Sequence, residues 1–279
     1  MKPRLDNWLW ACPATAVLLA AATLWLWGLT WASAIVVALV LVFPAILVWG
    51  ALQLRRTEGF PDVPRAPTRG MTMGLVAPIY DWYCPKLGLG KTFRAETLRH
   101  AGLRPGERVL DVGCGTGVLT RLAADAVGPS GTATGIDAAP AMIAAARRNA
   151  RLNASRARFD VAAIESLPFP DSSFDVVLSS AMLHHLPPLA KAAGLTSVRR
   201  VLKPAGRLVI ADLDRPANPL WWLLTWPLLA MPMTAANLRG EIPAFLRRSG
   251  FQSIEVRGRW MNLLTFWVAR PTADEGEQP

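Results

Sequence analysis

Between residues 107 and 213 the sequence repeats one unit: a short apolar run ending in glycine or a polar residue, then a segment with apolar residues at helical spacing. "ERVLDVG" is such a run, and "VLTRLAADAV" behind it places Val118, Leu119, Leu122 and Val127 at helical intervals. "TATGID" and "APAMIAAARRNARL" repeat the pair; "RARFDVA" supplies a third strand, "SFDVVLSS" a fourth, and "GRLVIADL" a fifth after a helix over 189–202 closed by Lys203, Pro204 and Gly206. Helices between successive strands act as crossovers, so these strands lie parallel with both faces covered. The predicted fold is α/β, a doubly wound sheet. Its end breaks the pattern: after the helix "EIPAFLRRSG", the runs "FQSIEVRGRW" and "NLLTFWVARP" are too closely joined for a crossover. They pair antiparallel, giving seven strands, mostly parallel, with an antiparallel strand at the C-terminus.

The turn "LDVGCGTG" puts Gly113, Gly115 and Gly117 between the first strand and its helix, where a ligand can approach bare backbone at a helix N-terminus. A glycine pattern alone does not name the ligand. Asp111, two residues before the first glycine, sharpens it: a carboxylate there would repel the pyrophosphate of a dinucleotide but attract the ammonium and sulfonium of S-adenosylmethionine. Charge sign favours the methyl donor over NAD. Asp137 closes the second strand, placed either to accept both hydroxyls of a ribose or to cap the next helix. Met142, one turn into that helix, lies either against an adenine face or in the core.

The stretches "IYDWYCPKLGLG", "VLDVGCGTG", "GID", "LPFPDSSFDVVLSSAMLHHL" and "VLKPAGRLVIAD" occur in that order. Through them residues 72–213 resemble class I S-adenosylmethionine-dependent methyltransferases, in the broad group of ubiquinone/menaquinone C-methyltransferases and bacterial phospholipid N-methyltransferases. The resemblance implies S-adenosylmethionine as cofactor, with Asp111 reaching its methionine ammonium, mostly through water, and Asp137 holding its ribose. One position departs. Where many relatives carry the aspartate that binds the adenine amine, four residues before the leucine of "LPF", this chain has Ala163. Asp160, three residues earlier and within strand three, is a poor substitute, which leaves the backbone around Ile164, with Glu165 as a side-chain partner. "IYDWY" resembles the family's segment over the cofactor, so Tyr80 either lines the methionine end or, with Trp82, anchors that segment. His184 and His185 follow the fourth strand at the rim where such sheets bind ligands. They are either a general base suited to a phenol or enol acceptor, or a structural pair.

Residues 8–29 and 34–54 are apolar and uncharged, each about the ~20 residues that cross a bilayer as a helix. The short break between them makes an antiparallel transmembrane hairpin over 1–54, and six of the 12 tryptophans fall in it: Trp8, Trp10, Trp25, Trp27, Trp31 and Trp49. Lys2 and Arg4 before it and Arg55 and Arg56 after it put both ends in the cytoplasm, so the expected location is the inner membrane, multi-pass, with the catalytic domain on the cytoplasmic side. A cleaved signal peptide is the rival reading of this segment. Residues 55–70 read as a linker, 71–271 as the catalytic domain with an apolar insert at 214–240, and 272–279 as a disordered tail.

A net charge of +10 with 52% hydrophobic residues suits anionic lipid rather than nucleic acid as partner. Cys12, Cys84 and Cys114 are odd in number and lack metal-ligand spacing, so neither a disulfide framework nor a metal site is expected. The insert contains "NPLWWLLTWPLLAMPMTAAN", which Pro227 and Pro232 interrupt and which cannot cross a membrane without splitting the sheet. It is expected instead to form a flap at the substrate mouth, with Trp221, Trp222 and Trp226 at its apolar edge. The sequence therefore predicts a membrane-anchored methyltransferase with a lipophilic small-molecule acceptor. A small soluble acceptor, a non-catalytic membrane scaffold and an NAD-dependent oxidoreductase are the alternatives.

Overall fold

The computed structural model describes residues 67–271. The expected hairpin at 1–54, the linker up to residue 66 and the tail at 272–279 lie outside the described residues. Among the described residues no helix is long and apolar enough to cross a membrane.

The sheet has seven strands in the order β3-β2-β1-β4-β5-β7-β6: β1 (Arg108–Val112), β2 (Thr132–Asp137), β3 (Arg158–Val161), β4 (Phe174–Ser180), β5 (Leu202–Leu213), β6 (Phe251–Trp260) and β7 (Leu264–Pro271). The first five are parallel to one another, and β7 runs antiparallel to both β5 and β6. Successive residues of a strand face opposite sides of a sheet. Accordingly Val109, Val176 and Val209 pack under α3 (Val118–Val127), whereas Leu110, Val177 and Leu208 pack under α5 (Pro188–Val201). Completing the helices are α1 (Tyr80–Tyr83), α2 (Lys91–Ala101), α4 (Pro140–Leu152), α6 (Pro219–Thr225), α7 (Pro232–Leu238) and α8 (Ile242–Arg248).

Two expectations need correction. The helix α5 is not followed by a loop: β5 begins at Leu202, which pairs with Phe174, and the ladder resumes at Val176 and Arg207. Lys203, Pro204 and Gly206 thus belong to an irregular start of the strand, where a shift of register absorbs the extra residues. Nor does the apolar run behave as one flap. It breaks into α6, a 3-10 turn at Trp226–Ala230, and α7, and residues 234–238 are buried.

The strand order reverses between β1 and β4, since β1 continues through β2 on one side and β4 through β5 on the other. Parallel sheets bind ligands outside the carboxyl ends of the strands at such a switch point. The turns after β1, β2 and β4 meet there.

Candidate active site

Two clefts open at that edge and share Tyr80, Gly113 and Ala181 as walls. The narrower, about 430 Å³ including space open to solvent, is lined also by Asp111, Cys114 and Arg94. Around the wider, about 620 Å³ on the same measure, stand Gly115, Asp137, Met142, Ile164, Glu165 and His185. Sequence residues from five separate segments converge here.

Asp111 is buried at the end of β1 and accepts a 2.6 Å hydrogen bond from Thr120 Oγ1. Burial pushes its carboxyl up to about 6, with the Asp137 charge adding to the rise. A cation arriving beside it would restore the ionised form. Asp137 accepts from the backbone N–H of Gly115 through Oδ2 at 3.1 Å and of Ala139 through Oδ1 at 2.8 Å. Burial raises its pKa, and these two bonds oppose the rise. Each oxygen retains acceptor capacity toward the cleft.

The three glycines divide in role. Gly113 has φ +71°, and a Cβ there would lie 2.1 Å from Cγ of Met182 and 2.8 Å from its Cβ, so the β1 and β4 turns meet over a bare backbone. Gly115 faces the Tyr80 ring. Gly117 lines neither cleft; it has φ +78°, and a side chain would press on the Phe159 ring and on Ala146 at 2.6 and 2.9 Å. Its task is packing α3 against α4 and β3.

Met142 and Ile164 are both buried and both line the wider cleft, so each belongs to core and site at once. Tyr80 walls both clefts, and burial raises its phenol pKa, with Cys84 adding to the rise. Anchoring of that segment falls to its neighbour Asp81, which accepts from Thr116 Oγ1 at 2.6 Å and Asn149 Nδ2 at 3.1 Å. Trp82 is exposed, with the Lys86 ammonium 3.3 Å over its ring. Asp160 is turned outward on β3 and pairs with Arg147 at 3.1 Å. Ala163 offers no polar side chain, whereas Glu165 lies on the cleft wall.

The histidines separate. Nδ1 of His184 lies 2.8 Å from Asp212 Oδ1, and because a carboxylate only accepts, Nδ1 is the donor. His185 packs against His184 with ring centres 4.0 Å apart and planes tilted by 46°, and faces the wider cleft, its Nδ1 buried without a partner among the described residues. Burial, and then the neighbouring His184, pull its pKa down to about 3, so it is neutral at ordinary pH.

Sequence reasoning missed what holds this pair. Asp212, at the end of β5, also accepts from the backbone N–H of Met182, Leu183 and Leu213 at 2.9, 2.7 and 2.7 Å, and from Asn237 Nδ2 at 3.1 Å. Burial acts to raise its pKa, but His184, the Leu213 N–H and Lys191 together hold it below the usual carboxylate range. Asn237 in turn accepts from the ammonium of Lys191, which is fully buried and pushed down to about 8 by that burial. A lone lysine among the apolar and small residues of "PLAKAAGL" is the signal that could have flagged it.

The structure does not bring Trp221, Trp222 and Trp226 to the wall of either cleft. The chain leaving β5 is tied to the β6–β7 turn, by Asp214 N to Leu263 O and Ala217 N to Asn262 O at 3.0 Å each.

Residues 103–239 match the family described as "Methyltransferase domain". This stretch is an S-adenosylmethionine-dependent methyltransferase domain. The chain is 38% identical over 169 residues to a ubiquinone/menaquinone biosynthesis C-methyltransferase of Ectopseudomonas mendocina, covering 58% of this chain and 65% of that one. It is 36% identical over 149 residues to a 2-phytyl-1,4-naphtoquinone methyltransferase of Synechococcus elongatus, covering 52% and 63%. It therefore spans less than two thirds of the length of these relatives. In fold it is similar to a SAM-dependent methyltransferase from Aquifex aeolicus, with a TM-score of 0.53 at 21% identity over 63% of this chain and 88% of that one. The methyltransferase domain fits its cofactor by its own residues: a buried carboxylate, Asp111, a half-buried one, Asp137, and the glycines Gly113 and Gly115 ring the clefts, and two buried polar atoms on the wider one, Glu165 Oε2 and His185 Nδ1, have no partner among the described residues.

Proposed function

We propose that the whole protein is a membrane-anchored methyltransferase whose catalytic domain faces the cytoplasm and whose acceptor is lipophilic, a quinone precursor or a lipid headgroup amine. One observation carries the lipophilic reading: Leu220, Leu223 and Leu224 of α6, with Trp226 just after it, are all exposed, from 58% to 67%. Large apolar side chains clustered in water mark an interaction surface. The apolar stretches within residues 1–54 support an anchor that would hold this surface near a bilayer. The names of the two quinone-pathway relatives support an acceptor of the same class.

When bound, S-adenosylmethionine supplies a sulfonium-activated methyl carbon for in-line displacement by the acceptor. Asp111 would attract its methionine ammonium, and Asp137 would accept hydrogen bonds from the ribose hydroxyls. Met142 and Ile164 give the base an apolar wall. His185, neutral and facing the cleft, is suited to hydrogen bonding and not to storing a proton near pH 7. His184, fixed by Asp212, packs against it with the two rings tilted by 46°.

The test is to incubate purified protein with methyl-labelled S-adenosylmethionine and a membrane lipid extract. The expected outcome is label in the organic phase. Label confined to the aqueous phase would sink the lipophilic acceptor, and NAD binding in preference to S-adenosylmethionine would overturn the cofactor.

A further inference from the structure

The two carboxylate oxygens of Glu165, in the 3-10 turn Ile164–Ser166, have different surroundings. Oε1 accepts from Thr68 Oγ1 at 2.8 Å and from the backbone N–H of Arg69 at 3.0 Å. These donors belong to a strap, residues 67–73, that forms one wall of the wider cleft through Thr68, Gly70, Met71, Thr72 and Met73. The strap is closed further by Gly70 N to Thr68 Oγ1 and by Met71 N to His185 O, both 2.9 Å. Oε2, by contrast, is buried and meets no donor. A buried acceptor left unmet is costly, so this oxygen favours a ligand that brings a donor to it.

What surrounds that oxygen narrows the missing donor. Met142, Ala162, Ile164 and Leu186 line the same cleft and are apolar, which suits a flat base. An adenine presents one strong donor at its edge, the exocyclic amine. Ala163, where relatives place the acid for that amine, has only a methyl group to offer. His185 Nδ1, the other unpaired buried atom here, is held neutral and offers Glu165 no counter-charge.

We propose that Glu165 reads the adenine amine through Oε2 while Oε1 holds the strap, so that recognition of the base and closure of residues 67–73 share one carboxylate. The proposal rests on the cofactor reading above and adds the residue and the coupling. A strap that stays ordered keeps Oε2 dry and aimed; a bound base gives Oε2 its donor and stiffens the strap in return.

The probes are S-adenosylhomocysteine and its hypoxanthine counterpart S-inosylhomocysteine, titrated calorimetrically into the full chain. Wild type is expected to prefer the adenine compound by about 10-fold or more, because hypoxanthine turns a carbonyl toward the carboxylate. Glu165→Gln keeps an acceptor for the strap and turns an amide N–H₂ to the base. It should lose about 10-fold for the adenine compound and narrow or reverse the preference. Thr68→Val removes a strap bond and leaves Oε2 in place, so affinity should fall for both compounds with the preference intact. Wild-type discrimination retained in a folded Glu165→Gln protein, or a preference lost in Thr68→Val, would overturn the proposal while leaving the cofactor standing. Failure of wild type to bind S-adenosylhomocysteine at all would overturn both.

Discussion

The two halves of the apolar run at 219–238 are opposite in fate, and the half rich in large apolar side chains, PLWWLLT, is the exposed one, while PMTAANL is buried at its C-terminal end. Leu220, Leu223 and Leu224 of α6 stand in solvent, whereas Thr234, Ala235, Ala236, Asn237 and Leu238 of α7 are all buried. Hydrophobicity alone would have buried the other half. A polar residue separates them: Asn237 in α7 meets Lys191, Asp212 and the carbonyl of Leu213, three groups from other elements. Before α6 the polar residue Asn218 spends its side chain on capping that helix, accepting from the N–H of Trp221. A segment is fixed in the interior where its polar groups find partners there; the hydroxyl of Thr225 in α6 bonds only back to Trp221 O of its own helix, at 2.6 Å.

The comparison can be broken most severely at Asp212. Asp212→Ala would strand His184, Asn237 and the three backbone N–H groups of Met182, Leu183 and Leu213, and leave Lys191 buried without its counter-charge. A stability loss of about 3–5 kcal/mol is expected in denaturant melts, and an unchanged midpoint would show that the network does not pin α7. Leu238→Ala, in the buried half, should cost roughly 2 kcal/mol or more by the same measurement.

Asp111 tests the cleft itself. Its folded pKa of about 6 lies above the ordinary 3.8, so the cofactor-free protein loses stability from this group as pH rises through that window, while the ionised form is the one that attracts an ammonium. Cofactor affinity in wild type should therefore weaken as pH falls below about 6. Asp111→Asn should bind about 10-fold more weakly at pH 7, with that pH dependence gone from calorimetric titrations. The smallest effect on the fold is expected in the exposed half. Leu223→Ser should change stability by no more than about 0.5 kcal/mol and leave cofactor affinity as it was, yet lower turnover on acceptor presented in vesicles. Equal turnover on vesicles would remove the reason given for the exposed face.

Much of this was legible before any coordinates. The strands and their alternation followed from local periodicity, and β6 matches its expected range, Phe251–Trp260. The glycine turn, Asp111 and Asp137 were recognisable because the groups that must approach a ligand lie within a few residues of a strand end. The start of β5 was misplaced because Lys203, Pro204 and Gly206 read as a loop locally, and only pairing with β4 keeps Leu202 in the sheet. The position of Trp221, Trp222 and Trp226 after β5 predicts a place at the mouth, yet they line neither of the two clefts.

The sequence by itself determined the sheet, the cofactor turn and its charge, since each is written in neighbouring residues. Only the tertiary structure decided which histidine faces the cleft, which half of the apolar run is buried, and which oxygen of Glu165 is left free. Those outcomes hang on contacts between residues far apart in the chain, 28 positions for His184 with Asp212 and 97 for Thr68 with Glu165. No local pattern records such a pairing, because the energy of a buried polar group depends on the partner that folding brings to it.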